Sequence, residues 1–271
     1  MGVAVMDWRA TLRRFGVTPK KSLGQNFLFD EAVLDRIVAA GEVTKGDTVL
    51  EVGPGAGSLT RQLARAAGRV VAVELDDRLL PVLAHTLADC PNVAVIHGDI
   101  LKLQPGRDYA PPGKVVANIP YYLTSTLIRH LLEADARPSV IVLTVQREVA
   151  HRICAAPPDM SLLAVSVQFY GAPRLMGYIP AGAFYPPPDV DSAIVRIDLA
   201  EPPLSGAAVD KFFRVVKAGF GQKRKQLKNS LLAGLGLKGD AVEAMLREAG
   251  IDPTRRAETL SLAEWLRLYR S

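Results

Sequence analysis

Five short apolar runs, separated by amphipathic segments, constrain the fold of this chain more than any other feature. In order along the sequence they are TVLEV (48–52), RVVAVE (69–74), VAVIH (93–97), KVVAN (114–118) and SVIVLTV (139–145). Strands that are apolar on both faces and alternate with helices are typical of a parallel sheet covered by helices on both sides. The pattern therefore predicts a doubly wound α/β domain that extends to about residue 200.

The segments between these runs carry helix signals. Asp30 precedes EAVLDRIVAA as a candidate N-cap, and Gly41 follows it as a stop signal. The intervening pieces SLTRQLARAA, DRLLPVLAHTLA, TSTLIRHLLEA and EVAHRICAA also have helical periodicity. After residue 160 the periodicity of LLAVSVQFY fits a helix or a strand equally, whereas RLMGYI and SAIVRIDL predict two further strands.

A second domain is predicted after the proline-rich pair Pro202-Pro203. From 205 to 271 the segments are short and helical, with breaks expected at Gly219, Gly236 and Gly250. We therefore expect a domain over residues 1–200, with residues 1–18 as an N-terminal extension, and a small all-helical domain over 205–271.

Composition and charge restrict the class of protein. Hydrophobic residues make up 49% of the 271 residues, no apolar run is long enough for a bilayer, and the N-terminus lacks the pattern of a signal peptide. Cys90 and Cys154 are expected to be free thiols in a reducing compartment. The four histidines form no ligand-spaced pair. We therefore expect a cytoplasmic protein without a membrane segment and without a metal site.

The distribution of the net charge of +5 points to a polyanion partner. Seven cations and no acid occur between residues 211 and 230, and a second acid-poor basic run extends from Arg9 to Lys21. Basic runs are often simply solvated surfaces. The longer run, however, interleaves Phe212, Phe213 and Phe220 with its cations, a composition that favours nucleic acid as a partner.

Polar residues follow four of the predicted strands, at the edge where an open parallel sheet binds ligands. The first strand is followed by Gly53-Pro54-Gly55-Ala56-Gly57, a loop that lets a ligand approach the backbone closely. Glu74 ends the second strand and can accept ribose hydroxyls, while Asp99 follows the third and can accept from an adenine amine. This combination favours S-adenosylmethionine over NAD, although each acid taken alone could simply cap a helix.

The fourth strand ends in an amide, a proline and two tyrosines, NIPYY, and this motif does not stand alone. GQNFL (24–28), EVGPGAGSLT (51–60), VELD (73–76), GDIL (98–101), NIPYYLTSTLI (118–128), QREVAHR (146–152) and AFYPPPDVDSAIVRI (183–197) follow in order. Together they resemble the small-subunit ribosomal RNA adenine N6-dimethyltransferases, from about Lys20 to the end of the chain. The resemblance implies a Rossmann-like S-adenosylmethionine-dependent methyltransferase with a mostly parallel seven-stranded sheet.

The resemblance also implies roles for individual residues. It assigns Asn118, Pro120, Tyr121 and Phe184 to catalysis, with Asn118 as a polar acceptor and the two rings stacking on the target adenine. The implied cofactor-binding residues are Gln25, Asn26, Leu28, Gly53, Gly55, Glu74, Leu75, Asp99, Ile100 and Asn118. Tyr122 is expected to point away from the site and to pack.

The basic stretch GQKRKQLKNSL resembles the RNA-binding helix of the same family and the loop before it. The implied phosphate contacts are Lys223, Arg224, Lys225 and Lys228, and Arg255 and Arg256 could extend this strip. The implied partner of a monomeric enzyme is small-subunit ribosomal RNA within an immature 30S subunit. One departure is Met160-Ser161, which stands where family members often carry Tyr-Gly.

Three alternatives follow from the same residues. Methyltransferases of the macrolide-resistance group share QNF and NIPY but modify large-subunit ribosomal RNA, and the basic C-terminal segments favour the small-subunit group instead. A non-catalytic nucleic-acid-binding factor on the same fold, like the mitochondrial transcription factor B relatives, would not need NIPY, Glu74 and Asp99 together. A small-molecule methyltransferase would need no basic C-terminal domain.

Overall fold

The computed structural model describes residues 6–222 and 224–271, which divide into two compact units. The first unit contains the chain up to Ala150 together with Arg174–Leu199, and the second contains His151–Pro173 together with Ala200–Ser271. This division differs from the predicted boundary near residue 200, because residues 151–173 group with the C-terminal helices.

The first unit contains a seven-stranded sheet in the order β4-β3-β2-β5-β6-β9-β7. Strands β2 to β6 run parallel to one another, and β9 pairs antiparallel with β6. The strands are β2 (Thr48–Val52), β3 (Arg69–Glu74), β4 (Val93–His97), β5 (Lys114–Asn118), β6 (Val140–Gln146), β7 (Gly171–Ile179) and β9 (Ser192–Leu199). The predicted mostly parallel seven-stranded sheet is thus confirmed, with the first four strands at the predicted bounds.

Six helices begin in the first unit. They are α1 (Trp8–Arg14), α2 (Glu31–Ala40), α3 (Ser58–Ala66), α4 (Leu80–Thr86), α5 (Thr124–Leu132) and α6 (Arg147–Ile153). Asp30 caps α2 as predicted, since its carboxylate accepts from the Val33 N–H at 3.1 Å. Apolar residues of α2 and α3, such as Ile37 and Leu63, are fully buried in one core cluster with sheet residues such as Val116. This burial holds the helices against the sheet.

The strand order reverses next to β2, and this reversal locates the site. The chain proceeds from β2 to β3 and β4 on one side, and then continues on the other side with β5 and β6. The loops that leave β2 and β5 therefore diverge at their carboxyl ends, and a crevice opens between them.

The described part of the N-terminal extension is folded onto the first unit. Leu12 and Val17 are buried in a cluster with Leu79 and Val82, and the Trp8 ring stacks on Phe29 with centroids 5.8 Å apart. Of the two alternatives for residues 1–18, a frayed extension is therefore wrong for residues 6–18, while residues 1–5 lie outside the described chain.

The second unit is helical. Its helices are α7 (Leu162–Tyr170), α8 (Ala207–Phe220), α9 (Leu227–Leu235), α10 (Gly239–Glu248) and α11 (Leu262–Arg270). The ambiguous segment LLAVSVQFY is thus a helix, and its Phe169 ring stacks on Phe212 at 5.0 Å between centroids. This aromatic packing explains why residues 151–173 group with the C-terminal helices.

The predicted helix break at Gly219 is wrong, because α8 continues to Phe220. A Cβ atom on Gly219 would lie 2.4 Å from the buried ring of Trp265, so the glycine serves helix packing. The other two predicted breaks hold, since Gly236 and Gly250 both have positive φ at the ends of helices.

Within the described residues, none of the helices combines the length and hydropathy needed to cross a bilayer. Cys90 and Cys154 are free thiols, as predicted.

Candidate active site

One pocket lies at the carboxyl ends of the strands in the first unit. Its walls come from residues 23–28, the loop after β2, the ends of β3 and β4, and the segment after β5. All of the residues predicted for cofactor binding and for catalysis line this pocket. Residues distant in sequence therefore meet in one place, while their individual roles stay predictions.

Glycines shape the loop after β2. Gly53 and Gly55 both have positive φ, 69° and 60°, in the region that disfavours other residues. A Cβ atom on Gly55 would also lie 2.9 Å from the Phe27 ring, so this position has no room for a side chain. The loop thereby brings the Gly55 N–H within 3.1 Å of the carboxylate of Glu74.

Glu74 is a buried carboxylate that faces the pocket. One oxygen accepts from the Gly55 N–H, and the other accepts from the Asp76 N–H at 2.8 Å. Burial raises the pKa of Glu74 above its ordinary value, although these backbone donors oppose the shift. Each oxygen retains a further lone pair, so the group can accept the two hydroxyls of a ribose.

Glu51 is a second buried carboxylate in the pocket, and it was not among the predicted site residues. Its Oε2 atom has no hydrogen-bond partner among the described residues. Burial, with a smaller contribution from the charge of neighbouring Glu74, raises its pKa to about 8. An unpartnered buried carboxylate in a pocket is suited to a cationic group of a ligand. Its position two residues before Gly53 was the available sequence signal.

The side of the pocket formed by the residues after β3 and β4 is more apolar. Ile100 is buried, whereas Leu75 is exposed and presents an apolar surface to the pocket. Asp99 lies beside them, and one of its oxygens accepts from the Leu101 N–H at 3.1 Å. The carboxylate therefore caps a short helical turn and still has acceptor capacity for an adenine amine.

The Asn118 amide is held in a fixed orientation. Its Nδ2 donates to the carbonyl of Asn26 at 3.3 Å, and its Oδ1 accepts from the hydroxyl of Thr144. Asn118 and Thr144 are register partners on β5 and β6, which places their side chains on the same face of the sheet. Thr144 is fully buried. The sequence analysis did not identify it as a site residue, because its partner Asn118 lies on another strand, 26 residues earlier in the chain.

Two backbone carbonyls follow Asn118 in the pocket. The Pro120 carbonyl accepts from the Leu123 N–H at 3.0 Å in a short turn. No donor to the Ile119 carbonyl is found in the described part of the chain. Ile119 therefore offers the freer of the two backbone acceptors that the sequence suggested.

The aromatic residues of the site differ in exposure. The Tyr121 hydroxyl lies 2.6 Å from the hydroxyl of buried Ser192, which fixes the position of its half-buried ring. Phe184 is only 3% exposed and packs in the core cluster, so its predicted stacking on a base stays a prediction. The expectation that Tyr122 packs away from the site is wrong. It is 61% exposed and lines the pocket mouth beside Gly24.

The predicted RNA contacts lie in the second unit and differ in their exposure and in their ion pairs. Arg224 and Lys225 are exposed in the loop before α9, whereas Lys223 lies outside the described residues. Lys228 forms an ion pair with Glu243. Arg255 is bound to Glu264 at 2.6 Å and to Thr259, so it supports the local structure and is not a free cation.

Arg214 and Lys217, which were not predicted as RNA contacts, line an open cleft next to α9, together with Asp210 and Gln222.

No group of three or more potential metal ligands gathers among residues 6–222 and 224–271.

A family model described as ribosomal RNA adenine dimethylase matches residues 16–271. The chain belongs to this family. It is 49% identical over 254 residues to the ribosomal RNA small subunit methyltransferase A of Dehalococcoides mccartyi strain CBDB1, with 92% of this chain and 87% of the relative covered.

Two solved structures are similar to this chain along almost their whole length. The 23S rRNA methyltransferase ErmE has a TM-score of 0.74 at 32% identity, covering 90% of this chain and 98% of its own. A dimethyladenosine transferase from Plasmodium falciparum has a TM-score of 0.79 at 25% identity, covering 89% and 95%. The chain therefore has the Rossmann-like methyltransferase fold of these two proteins.

The pocket fits S-adenosylmethionine, the cofactor of this enzyme family. Glu74 would hold the ribose hydroxyls, Asp99 and Leu75 the adenine, and Glu51 the ammonium group of the methionine part. The observation that favours this fit is the unpartnered Oε2 atom of Glu51 in the pocket.

Glu51→Gln is expected to stabilise the cofactor-free protein at high pH. Since burial raises the pKa of Glu51 from 4.5 to about 8, the folded state holds this proton more tightly than the unfolded chain, and stability falls as pH rises through that window. At pH 9 the variant should be more stable by at least about 1.4 kcal/mol, the equivalent of one pKa unit. At pH 5 the difference should shrink towards zero.

Urea unfolding at the two pH values measures this effect. Glu133→Gln serves as the control, because Glu133 is exposed and pairs only with Arg129 on the surface. A stability difference for Glu51→Gln that does not change between pH 5 and pH 9 would contradict the assignment of a buried, proton-binding carboxyl.

Proposed function

We propose that this enzyme transfers methyl groups from S-adenosylmethionine to the N6 atoms of two adjacent adenosines in the 3′-terminal hairpin of small-subunit ribosomal RNA, giving N6,N6-dimethyladenosine. The observation that carries the proposal is the fixed Asn118 amide beside the free Ile119 carbonyl and the Tyr121 ring, in the same pocket as Glu51 and Glu74. Support for the small subunit comes from the 49% identity to a small-subunit methyltransferase, against 32% for ErmE.

The chemistry requires activation of a weak nucleophile. The N6 lone pair of adenine is delocalised into the ring, and S-adenosylmethionine supplies an electrophilic methyl group when bound. Asn118 Oδ1 and the Ile119 carbonyl are two acceptors for the N6–H bonds, and accepting these bonds localises the lone pair on nitrogen. Pro120 fixes φ after the second acceptor and has no N–H, which keeps the backbone geometry constant.

Tyr121 positions the base. A base that is taken out of its helix can stack on Tyr121, whose hydroxyl is held by Ser192, and such a contact contributes roughly 1–3 kcal/mol. Alignment of the nitrogen with the methyl group supplies much of the rate enhancement, because the two reactants lose their translational and rotational entropy on binding and not in the chemical step. Each transfer would form an N–CH3 bond as the S–CH3 bond breaks, with S-adenosylhomocysteine as the leaving product and the displaced N6 proton released to water. After the first transfer one N6–H remains, and one acceptor suffices for the second.

We assign catalysis to the first unit and RNA binding to the second. Exposed Arg224 and Lys225, with Arg214 and Lys217 on α8, provide positive charge for RNA phosphates. Such contacts give affinity and little sequence information, so specificity would come from the shape of a folded RNA hairpin within an immature small subunit. We propose a monomer acting in the cytoplasm, where bacterial ribosomal subunits are assembled.

Methyl transfer to three substrates tests the proposed function. The protein is incubated with labelled S-adenosylmethionine and purified small subunits, naked small-subunit RNA or large-subunit RNA. We expect label in N6,N6-dimethyladenosine from small-subunit material. Label from large-subunit RNA alone would support an ErmE-like specificity instead, and no transfer to any RNA would support a non-catalytic binding factor.

Asn118→Ala is expected to lower kcat about 100-fold or more, the scale for loss of one positioned polar group at a reacting centre. Thr144→Val keeps the shape but removes the donor that fixes the Asn118 amide, so kcat should fall about tenfold with unchanged cofactor affinity. The measurements are single-turnover methyl transfer and equilibrium binding of the cofactor.

Thr124→Val is the matched control for Thr144→Val. Thr124 is also buried, and its hydroxyl has no hydrogen-bond partner among the described residues, so its replacement by Val removes no contact. Near wild-type transfer by Asn118→Ala with intact cofactor binding would refute the proposed role of this amide.

The double variant Arg224→Ala with Lys225→Ala is expected to bind RNA with a weaker salt dependence. Each lost phosphate contact lowers the slope of log K against log salt by about 0.7–0.9, so the slope should decrease by about 1.5. A double variant of two other exposed cations, Lys238→Ala just before α10 and Arg247→Ala on α10, changes the net charge equally and should retain the slope. Equal slopes for both double variants would argue against this RNA-binding surface.

A further inference from the structure

The segment from Thr18 to Asn26, here called the strap, crosses one side of the cofactor pocket between two buried anchors. Val17 precedes it and Phe27 follows it, and both side chains are buried in the same cluster. Between these anchors every side chain is exposed or half-buried, and Leu23, Gly24, Gln25 and Asn26 line the pocket. The middle of the strap therefore lacks apolar burial to hold it in place.

Polar contacts hold the middle of the strap instead, and they converge on Gln25. Its side-chain oxygen accepts from the Lys20 N–H within the strap at 2.8 Å. Its side-chain nitrogen donates to Oδ2 of Asp76 at 2.8 Å. Both ends of the amide are thus engaged, and the contact to Asp76 fastens the strap to the end of β3.

Asp76 is a buried carboxylate whose position is fixed by Arg78. The Arg78 Nε donates to Oδ1 at 2.9 Å, and Nη2 donates to Oδ2 at 2.5 Å, which makes the pair bidentate. The remaining Nη1 of Arg78 donates to the Thr18 carbonyl at 3.3 Å. Arg78 therefore holds both the first residue of the strap and the carboxylate that receives Gln25.

The same residue also positions the ribose-binding group. The Asp76 N–H donates to Glu74 Oε1, so a shift of Asp76 would move a donor away from that carboxylate. At the other side of the pocket the Asn26 carbonyl accepts from Asn118, and a Cβ atom on Gly24 would lie 3.2 Å from Pro120. The strap thus connects Glu74 on one side of the pocket with Asn118 and Pro120 on the other.

We propose that Asp76, Arg78 and Gln25 form a latch that holds the strap over bound S-adenosylmethionine, and that opening of this latch controls exchange of the cofactor. The three are positioning residues, because they act through the strap and through Glu74. The inference rests on the cofactor assignment and is independent of which RNA is methylated.

The latch is tested by the rate at which labelled S-adenosylmethionine leaves the full-length protein when excess unlabelled cofactor is added. Gln25→Ala and Asp76→Asn should each increase the dissociation rate constant about tenfold. KM for the cofactor should rise accordingly in both variants. Because both substitutions break one shared contact, the double variant should resemble the single variants, with little further increase.

Asp77→Asn is the matched control. It removes the same charge from the next residue, whose side chain is exposed and acts on Arg78 only as a minor electrostatic neighbour, so the dissociation rate should stay within about twofold of the wild type. Hydrogen exchange supplies a readout that a general loss of stability would not reproduce. The Gly24 and Gln25 amides should exchange faster in both latch variants, while exchange in the β5 core stays unchanged.

Two results would overturn the proposal. One is a dissociation rate within twofold of wild type for both Gln25→Ala and Asp76→Asn, with or without a lowered melting temperature. The other is full additivity, with about a hundredfold increase in the double variant, because independent effects would exclude a shared latch. Failure of methyl transfer to every RNA would leave this cofactor measurement unaffected, so the two proposals can fail separately.

Discussion

The reversal of strand order beside β2 is the constraint on which the site depends. Parallel strands end at the same edge of a sheet, and at this edge the loops after β2 and β5 leave in opposite directions. The glycine loop, Glu74 and Asn118 therefore converge although the chain between them is long. The apolar residues of these strands make this possible, because helices packed against them hold the sheet edge in place.

Two buried carboxylates face the pocket from this edge, and their coupling is informative. Burial raises the pKa of both Glu51 and Glu74, and the charge of Glu74 contributes to the raised pKa of Glu51. Holding two such groups close together is unfavourable in the empty protein. A ligand that carries hydroxyls and a positive charge offsets this unfavourable burial of two carboxylates. Its binding therefore removes a cost that the empty pocket carries.

Patterns along the chain predicted the parallel sheet, its first four strands and the convergence of Gly53, Glu74, Asp99 and Asn118. The residues that were missed or wrongly predicted depend on contacts between segments that are distant in the sequence. Thr144 is recognisable only as the register partner of Asn118, and Gly219 only by the approach of Trp265. Charge alone likewise cannot show that Arg255 is bound to Glu264. The boundary near residue 200 missed residues 151–173, because the ring contact of Phe169 with Phe212 is not a property of either segment.

One short pairing has a consequence for the order of folding. Strand β1 (Phe27–Leu28) follows the strap directly and pairs antiparallel with β8 (Phe184–Tyr185), which comes late in the chain. A ribosome making this protein releases the glycine loop, Glu74 and Asn118 long before β8 exists. Strand β1 has no partner until then, and the part of the pocket wall that contains Phe184 is added only when β8 pairs with β1. The cofactor can therefore stabilise this unit only in its last stage of assembly.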